Sequence, residues 1–123
     1  MESKRTNTDT TAQTNVHVVK VGLNGTLTYE PNDFTAAVGD MIQFQFFGGN
    51  HTATQSTFDQ PCQPVSQFTN ATGFHSGFVP AAASEAMGMR ATYSIRINNT
   101  APLWVYCAKD KHCENGMSMV INK

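Results

Sequence analysis

The chain is short of everything that would announce a large or membrane-bound machine. Among 123 residues it has three cysteines, one tryptophan and four histidines, and no apolar run approaches the roughly 20 residues that cross a bilayer. Charge is scarce too, at 14%, with eight Lys plus Arg against nine Asp plus Glu. A net charge of −1 leaves no electrostatic footprint for nucleic acid or an anionic membrane surface. The N-terminus, "MESKRTNTDTTAQTN", lacks the apolar stretch of a secretory signal and reads as a polar, disordered segment over residues 1–15. Residues 16–123 are one domain's worth of chain, long enough to bury a core, and the expectation is a monomer. No internal repeat is evident.

What is present has a period of two. "VHVVKV" (Val16 to Val21), "MIQFQFF" (Met41 to Phe47), "TYSIRIN" (Thr92 to Asn98), "LWVYC" (Leu103 to Cys107) and "SMVIN" (Ser118 to Asn122) are short β-rich runs separated by turn signals such as Asn24-Gly25 and Gly48-Gly49-Asn50. They predict an all-β, antiparallel sandwich or barrel. The stretch from Ser56 to Arg90 reads as a long loop, in which "PAAASEAMGM" can make at most a short helical turn. Asn-x-Thr sequons stand at Asn24, Asn50, Asn70 and Asn98, as extracellular domains often show. The expectation is a secreted or cell-surface protein whose signal is missing from this numbering.

Chemistry concentrates in "WVYCAKDKHCENGM", Trp104 to Met117. Cys107 ends a strand whose alternation puts Leu103, Val105 and Cys107 on one, inward face. The loop to the next strand carries His112 and Met117. The spacing Cys-x4-His-x4-Met lets three donors converge, and a fourth must come from another strand. His51, in "GGNHTATQS" just after Met41 to Phe47, is the best candidate, because sheet packing brings strand ends together. Two imidazoles, a thiolate and a thioether suit copper in both Cu(I) and Cu(II), whereas structural zinc favours four strong ligands. A ligand set tolerant of both states lets one electron come and go with little rearrangement.

These segments resemble a known family. "YCAKDKHCENGM", with its Cys-x4-His-Cys-x2-Gly-Met arrangement, is similar to the copper loop of the phytocyanins, and "VGDMIQFQF" followed by "NHT" resembles their strand and upstream histidine. The cupredoxin-like domains of fungal extracellular serine-rich proteins resemble the chain more closely still, in "NHTATQS…PC" and "WVYCA…HC…GM". The likeness runs over roughly Val16 to Asn122. It implies a cupredoxin-like Greek-key β-sandwich of about seven or eight strands with a long loop around 56–90, and one type 1 (blue) copper ion on His51, Cys107, His112 and Met117. It also implies a disulfide between Cys62 and Cys113, which leaves Cys107 for metal; pairing Cys107 with Cys113 would need a sharp loop and remove the thiolate. Relatives of this kind carry a signal sequence and often a serine-rich tail, and neither is among these residues.

The remaining residues are read more plainly. His17, between valines in a strand, and His75, in the long loop, are ordinary histidines; Met87 and Met89 are loop residues before they are a secondary Cu(I) contact. Trp104 and Tyr106 face away from Cys107. A glycan on Asn50 would collide with the copper pocket, so Asn50 is expected to hold the loops together near the Cys107 sulfur, leaving Asn24, Asn70 and Asn98 as glycosylation candidates. The function expected is a one-electron carrier exchanging with a redox partner protein or a small-molecule donor or acceptor. His112, with Lys109, Asp110, Lys111 and Glu114, would face that partner. Copper storage or delivery, and a cell-wall module that merely keeps the fold, are the alternatives. An oxidase with a trinuclear copper cluster is disfavoured by four histidines and no His-x-His pair, and the chain is expected not to be an enzyme.

Overall fold

The computed structural model describes residues 15–123; apart from Asn15, the polar segment expected over 1–15 lies outside the described residues. Ten strands are found among them: β1 (Val16–Val21), β2 (Tyr29–Glu30), β3 (Asp33–Phe34), β4 (Met41–Phe46), β5 (Asn50–His51), β6 (Thr54–Ser56), β7 (Val79–Pro80), β8 (Thr92–Arg96), β9 (Leu103–Tyr106) and β10 (Ser118–Ile121). One sheet has the order β2-β1-β4-β8, the other β3-β10-β9-β6, and β5 pairs with β7 in a small ribbon. The strands beyond the expected seven or eight are two-residue pieces, too short to show an alternation.

The alternation of β4 decides its faces. Ile42, Phe44 and Phe46 are buried, while Gln43 and Gln45 are half-buried on the other side, where the Gln45 amide donates to Gln43 Oε1 at 2.8 Å. Val19 and Val21 join them from β1, and Val105, Met119 and Ile121 face them from the second sheet in one continuous core. Two inner faces meeting in this way make a β-sandwich. Its sheets are mixed rather than purely antiparallel: β1 and β4 run parallel from Val16 beside Met41 to Val21 beside Phe46, and β3 runs parallel to β10. The chain leaves the first sheet after β2, visits the second at β3 and returns at β4, and such a crossover brings a strand back in the direction of its neighbour.

The long loop is packed against the outside of the second sheet. Phe58 lies against Trp104 with ring centroids 5.0 Å apart, Val65 is buried, and Tyr106 is only 4% exposed. Trp104 and Tyr106 therefore do sit on the outward face, but under a cover. The Ala-rich stretch forms one short helix, α1 (Ala81–Glu85). No helix among the described residues is long and apolar enough to cross a membrane.

Candidate metal centre

At one end of the sandwich β9 gives way to a tight loop. His112 N–H donates to Lys109 O, Met117 N–H to His112 O and Cys107 N–H to Met117 O, at 3.0, 3.0 and 3.2 Å. These bonds curl residues 107–117 so that Cys107, His112 and Met117 are tied through their own backbone. Cys107 and Met117 are 1% and 0% exposed, while His112 keeps a partly exposed edge. His51, at the end of β5, enters from the β4 side and is buried.

The side chains converge. His51 Nδ1 and His112 Nδ1 are 3.2 Å apart, and Cys107 Sγ lies 3.8 Å from the first and 3.5 Å from the second. A point equidistant from three atoms so spaced is about 2.0 Å from each, close to the metal–imidazole bond length and somewhat short of a metal–thiolate bond. Two imidazole nitrogens facing each other at this range repel unless a proton or a cation lies between them. These three residues are the one group of His, Cys, Asp and Glu side chains among the described residues that could hold a metal ion. The donor set thus fits a soft, nitrogen- and sulfur-loving cation.

The neighbours of the cluster prepare it. His51 turns Nδ1 toward Cys107 and His112, and the Gly48 backbone beside the ring favours its protonated form. Burial, and next the charge of His112, hold the His51 pKa below the usual histidine value. The ring rests against Gly22, in the left-handed region at φ +73°; a Cβ there would come within 2.6 Å of His51 Cδ2 and Nε2 and of Gly48 O.

Sequence reasoning missed Thr52. It is fully buried, its N–H points at Cys107 Sγ at 3.4 Å, and its hydroxyl accepts from Ala108 N–H at 2.9 Å. The Tyr29 hydroxyl donates to its carbonyl at 2.6 Å; burial first, and the Cys107 charge second, push the Tyr29 pKa well up. These contacts hold the two ligand loops together, the task expected of Asn50. Asn50 is half-buried in the β5–β7 ribbon, and its Oδ1 is buried without a partner among the described residues. The pattern "HTATQS" carried a signal for Thr52: alternate hydroxyl residues in step with a buried strand.

Cys62 and Cys113 form a disulfide with Cα atoms 5.7 Å apart, and Cys107 is a free, buried cysteine. His17 Nε2–H donates to Asp40 Oδ2 at 2.8 Å, and the ring stacks on Phe34. His75 bonds Thr54. Met87 and Met89 are 70% and 57% exposed. Asn24, Asn70 and Asn98 are all exposed.

No family model matches the chain. An extracellular serine-rich protein of Arthroderma benhamiae is 35% identical over 105 residues, covering 85% of this chain and 38% of that protein. A protein of the same organism named probable GPI-anchored cupredoxin-1 is 35% identical over 104 residues, covering 85% of this chain and 49% of that protein. The chain thus spans about half, or less, of the curated relatives it matches. Among solved structures, plastocyanin from the fern Dryopteris crassirhizoma superposes with a TM-score of 0.58 at 15% identity, covering 85% of this chain and 96% of that one. Dithionite-reduced auracyanin from Roseiflexus castenholzii gives 0.59 at 13%, covering 89% and 97%. At such identities the likeness is one of fold.

Proposed function

The chain has the cupredoxin fold, and from that premise we propose that it is a type 1 (blue) copper protein carrying one electron at a time. His51, Cys107 and His112 would hold the ion, and Met117 would add a weak thioether donor. The observation that carries this reading is the triangle of Nδ1, Nδ1 and Sγ atoms with edges of 3.2, 3.5 and 3.8 Å. A copper ion bound there supplies a one-electron couple. The chain supplies the rest: Thr52 N–H steadies the thiolate, Gly22 and Gly48 cradle the His51 ring, and the backbone bonds of residues 107–117 keep the ligands from following each change of charge. Such rigidity favours rapid electron exchange, in keeping with a carrier.

The half-buried edge of His112 is the point of contact for the redox partner, rimmed by Lys109, Asp110, Lys111 and Glu114. Lys109 and Asp110 are 3.5 Å apart, and this mixed charge steers no strongly charged partner. A disulfide and the names of the two curated relatives support a secreted or surface location.

Cu(II) titration of the purified protein tests the reading. An intense thiolate-to-copper band in the visible, absent from a folded Cys107→Ser variant, is expected. Retention of the band in that variant overturns the site. Prompt loss of Cu(I) to a modest chelator after reduction replaces the carrier by a storage or delivery protein.

A further inference from the structure

A chain of hydroxyls leads from the metal centre to the surface. Ala108 N–H reaches Thr52 Oγ1 at 2.9 Å, Thr52 Oγ1 lies 2.8 Å from Thr54 Oγ1, and Thr54 Oγ1 lies 2.7 Å from His75 Nδ1. Thr52 and Thr54 are buried, at 0% and 4% exposure. His75 is exposed at a cavity of about 390 Å³ between the long loop and β9, so water reaches its ring. Of the residues lining that cavity only His75 and Tyr106 titrate and none carries a fixed charge. Burial pushes the Tyr106 pKa up, so Tyr106 stays neutral. Thr54 from β6 and the Phe78 ring, whose centroid is 6.2 Å from that of His75, add no charge.

The chain has a preferred sense. With His75 neutral and protonated on Nε2, Ala108 N–H donates to Thr52, the Thr52 hydroxyl to Thr54, and the Thr54 hydroxyl to Nδ1. Every donor is then used. When His75 takes a second proton, Nδ1–H must donate to Thr54, whose hydroxyl turns to Thr52. Thr52 Oγ1 then accepts from both Thr54 and Ala108, and its own proton has no partner among the described residues, deep in the core. Passed along the chain, the change reaches the Thr52–Ala108 bond beside Cys107.

We propose that His75 is a positioning residue for the metal centre, whose protonation reverses the Thr54–Thr52 hydroxyl chain and loosens the Ala108 clasp next to the Cys107 thiolate. Its effect on electron transfer rests on the copper reading: an imidazolium with reversed dipoles raises the reduction potential as pH falls. The reversal itself does not rest on that reading and is tested without metal.

In amide NMR spectra of the copper-free protein, titrated from pH 8 to 5, the Ala108 N–H signal is expected to shift with the midpoint of the His75 ring protons. His75→Gln, an exchange at an exposed position, removes that component and leaves any component that follows His51 or His112. Thr54→Val breaks the relay, so that His75 still titrates while Ala108 ceases to follow. An Ala108 signal that ignores His75 in the wild type, or that still follows it in Thr54→Val, overturns the proposal. In the copper-loaded protein the potential is expected to rise more steeply toward low pH in the wild type than in His75→Gln; equal slopes overturn the link to the metal while leaving copper binding untouched.

Discussion

At the scale of single residues, the site depends on atoms that are absent as much as on the ligands. Gly22 shows this: the His51 ring occupies the space where any other residue would place its Cβ, and Gly48 O closes the other side. A backbone carbonyl cannot step aside as a flexible side chain can. Gly22→Ala is therefore expected to lower stability by about 1–3 kcal/mol, through its left-handed backbone and the clash together, and to weaken copper binding by displacing His51. Denaturant unfolding and a copper titration of the same variant read the two effects, and wild-type values in both would remove the cradle from the account. Met117 allows a second test. Replacing a soft thioether by an amide oxygen favours Cu(II), because the axial ligand tunes the potential of such sites. Met117→Gln is expected to keep the visible band while lowering the reduction potential in voltammetry; an unchanged potential would mean that Met117 only fills the core.

At the scale of elements, the loops that bear the site are held by bonds far apart in sequence. The Cys62–Cys113 disulfide spans 51 residues, joining the long loop after β6 to the residue beside His112. Cross-links over such a span stabilise by roughly 2–4 kcal/mol, largely through the unfolded chain. The double variant Cys62→Ser, Cys113→Ser is expected to lose about that much in denaturant unfolding. It should also bind copper more weakly, since His112 then relies on the backbone bonds of its loop alone. The sequence made parts of this arrangement legible. Strands such as β4 and β8 show their faces because one side is apolar and the other polar, and the Cys-His-Met spacing lies within one local loop. Thr52 and Gly22 were not legible in the same way. Their roles arise from the approach of segments distant in sequence, and neither a threonine nor a glycine carries a ligand signature of its own. The parallel pairing of β1 with β4 was hidden for a related reason: side-chain alternation reports which face is buried, not the direction of the neighbour.

At the scale of the whole molecule, two protonation equilibria at separate places act on stability in the same direction. Asp40 accepts hydrogen bonds from His17 and from Ala37 N–H, and the His17 bond first, then that of Ala37, holds its pKa below the usual aspartate value. Its contribution is present above about pH 3.9 and is lost as pH falls through the lower folded value. The His51 pKa is also lowered, by burial first and by His112 second. The unfolded chain takes up that proton near pH 6.5 while the folded one resists, so the native state loses stability as pH falls below about 6.5. The copper-free protein is thus expected to be equally stable at pH 7 and 8 and to weaken in two stages on acidification. Asp40→Asn should differ from wild type least at the acid end of the lower stage, where the wild-type carboxylate is itself protonated. Copper alters only the upper stage, because an ion on His51 Nδ1 competes with the proton for the same lone pair. Thermal unfolding followed by circular dichroism across this pH range, with and without copper, gives the comparison. The metal should raise the melting temperature at pH 7 by mass action, and that gain should shrink as pH falls below 6, while the Asp40 stage stays where it was. A copper-induced gain that persists undiminished at pH 4.5 would place the ion on atoms that do not titrate there, and would remove His51 from the ligand set.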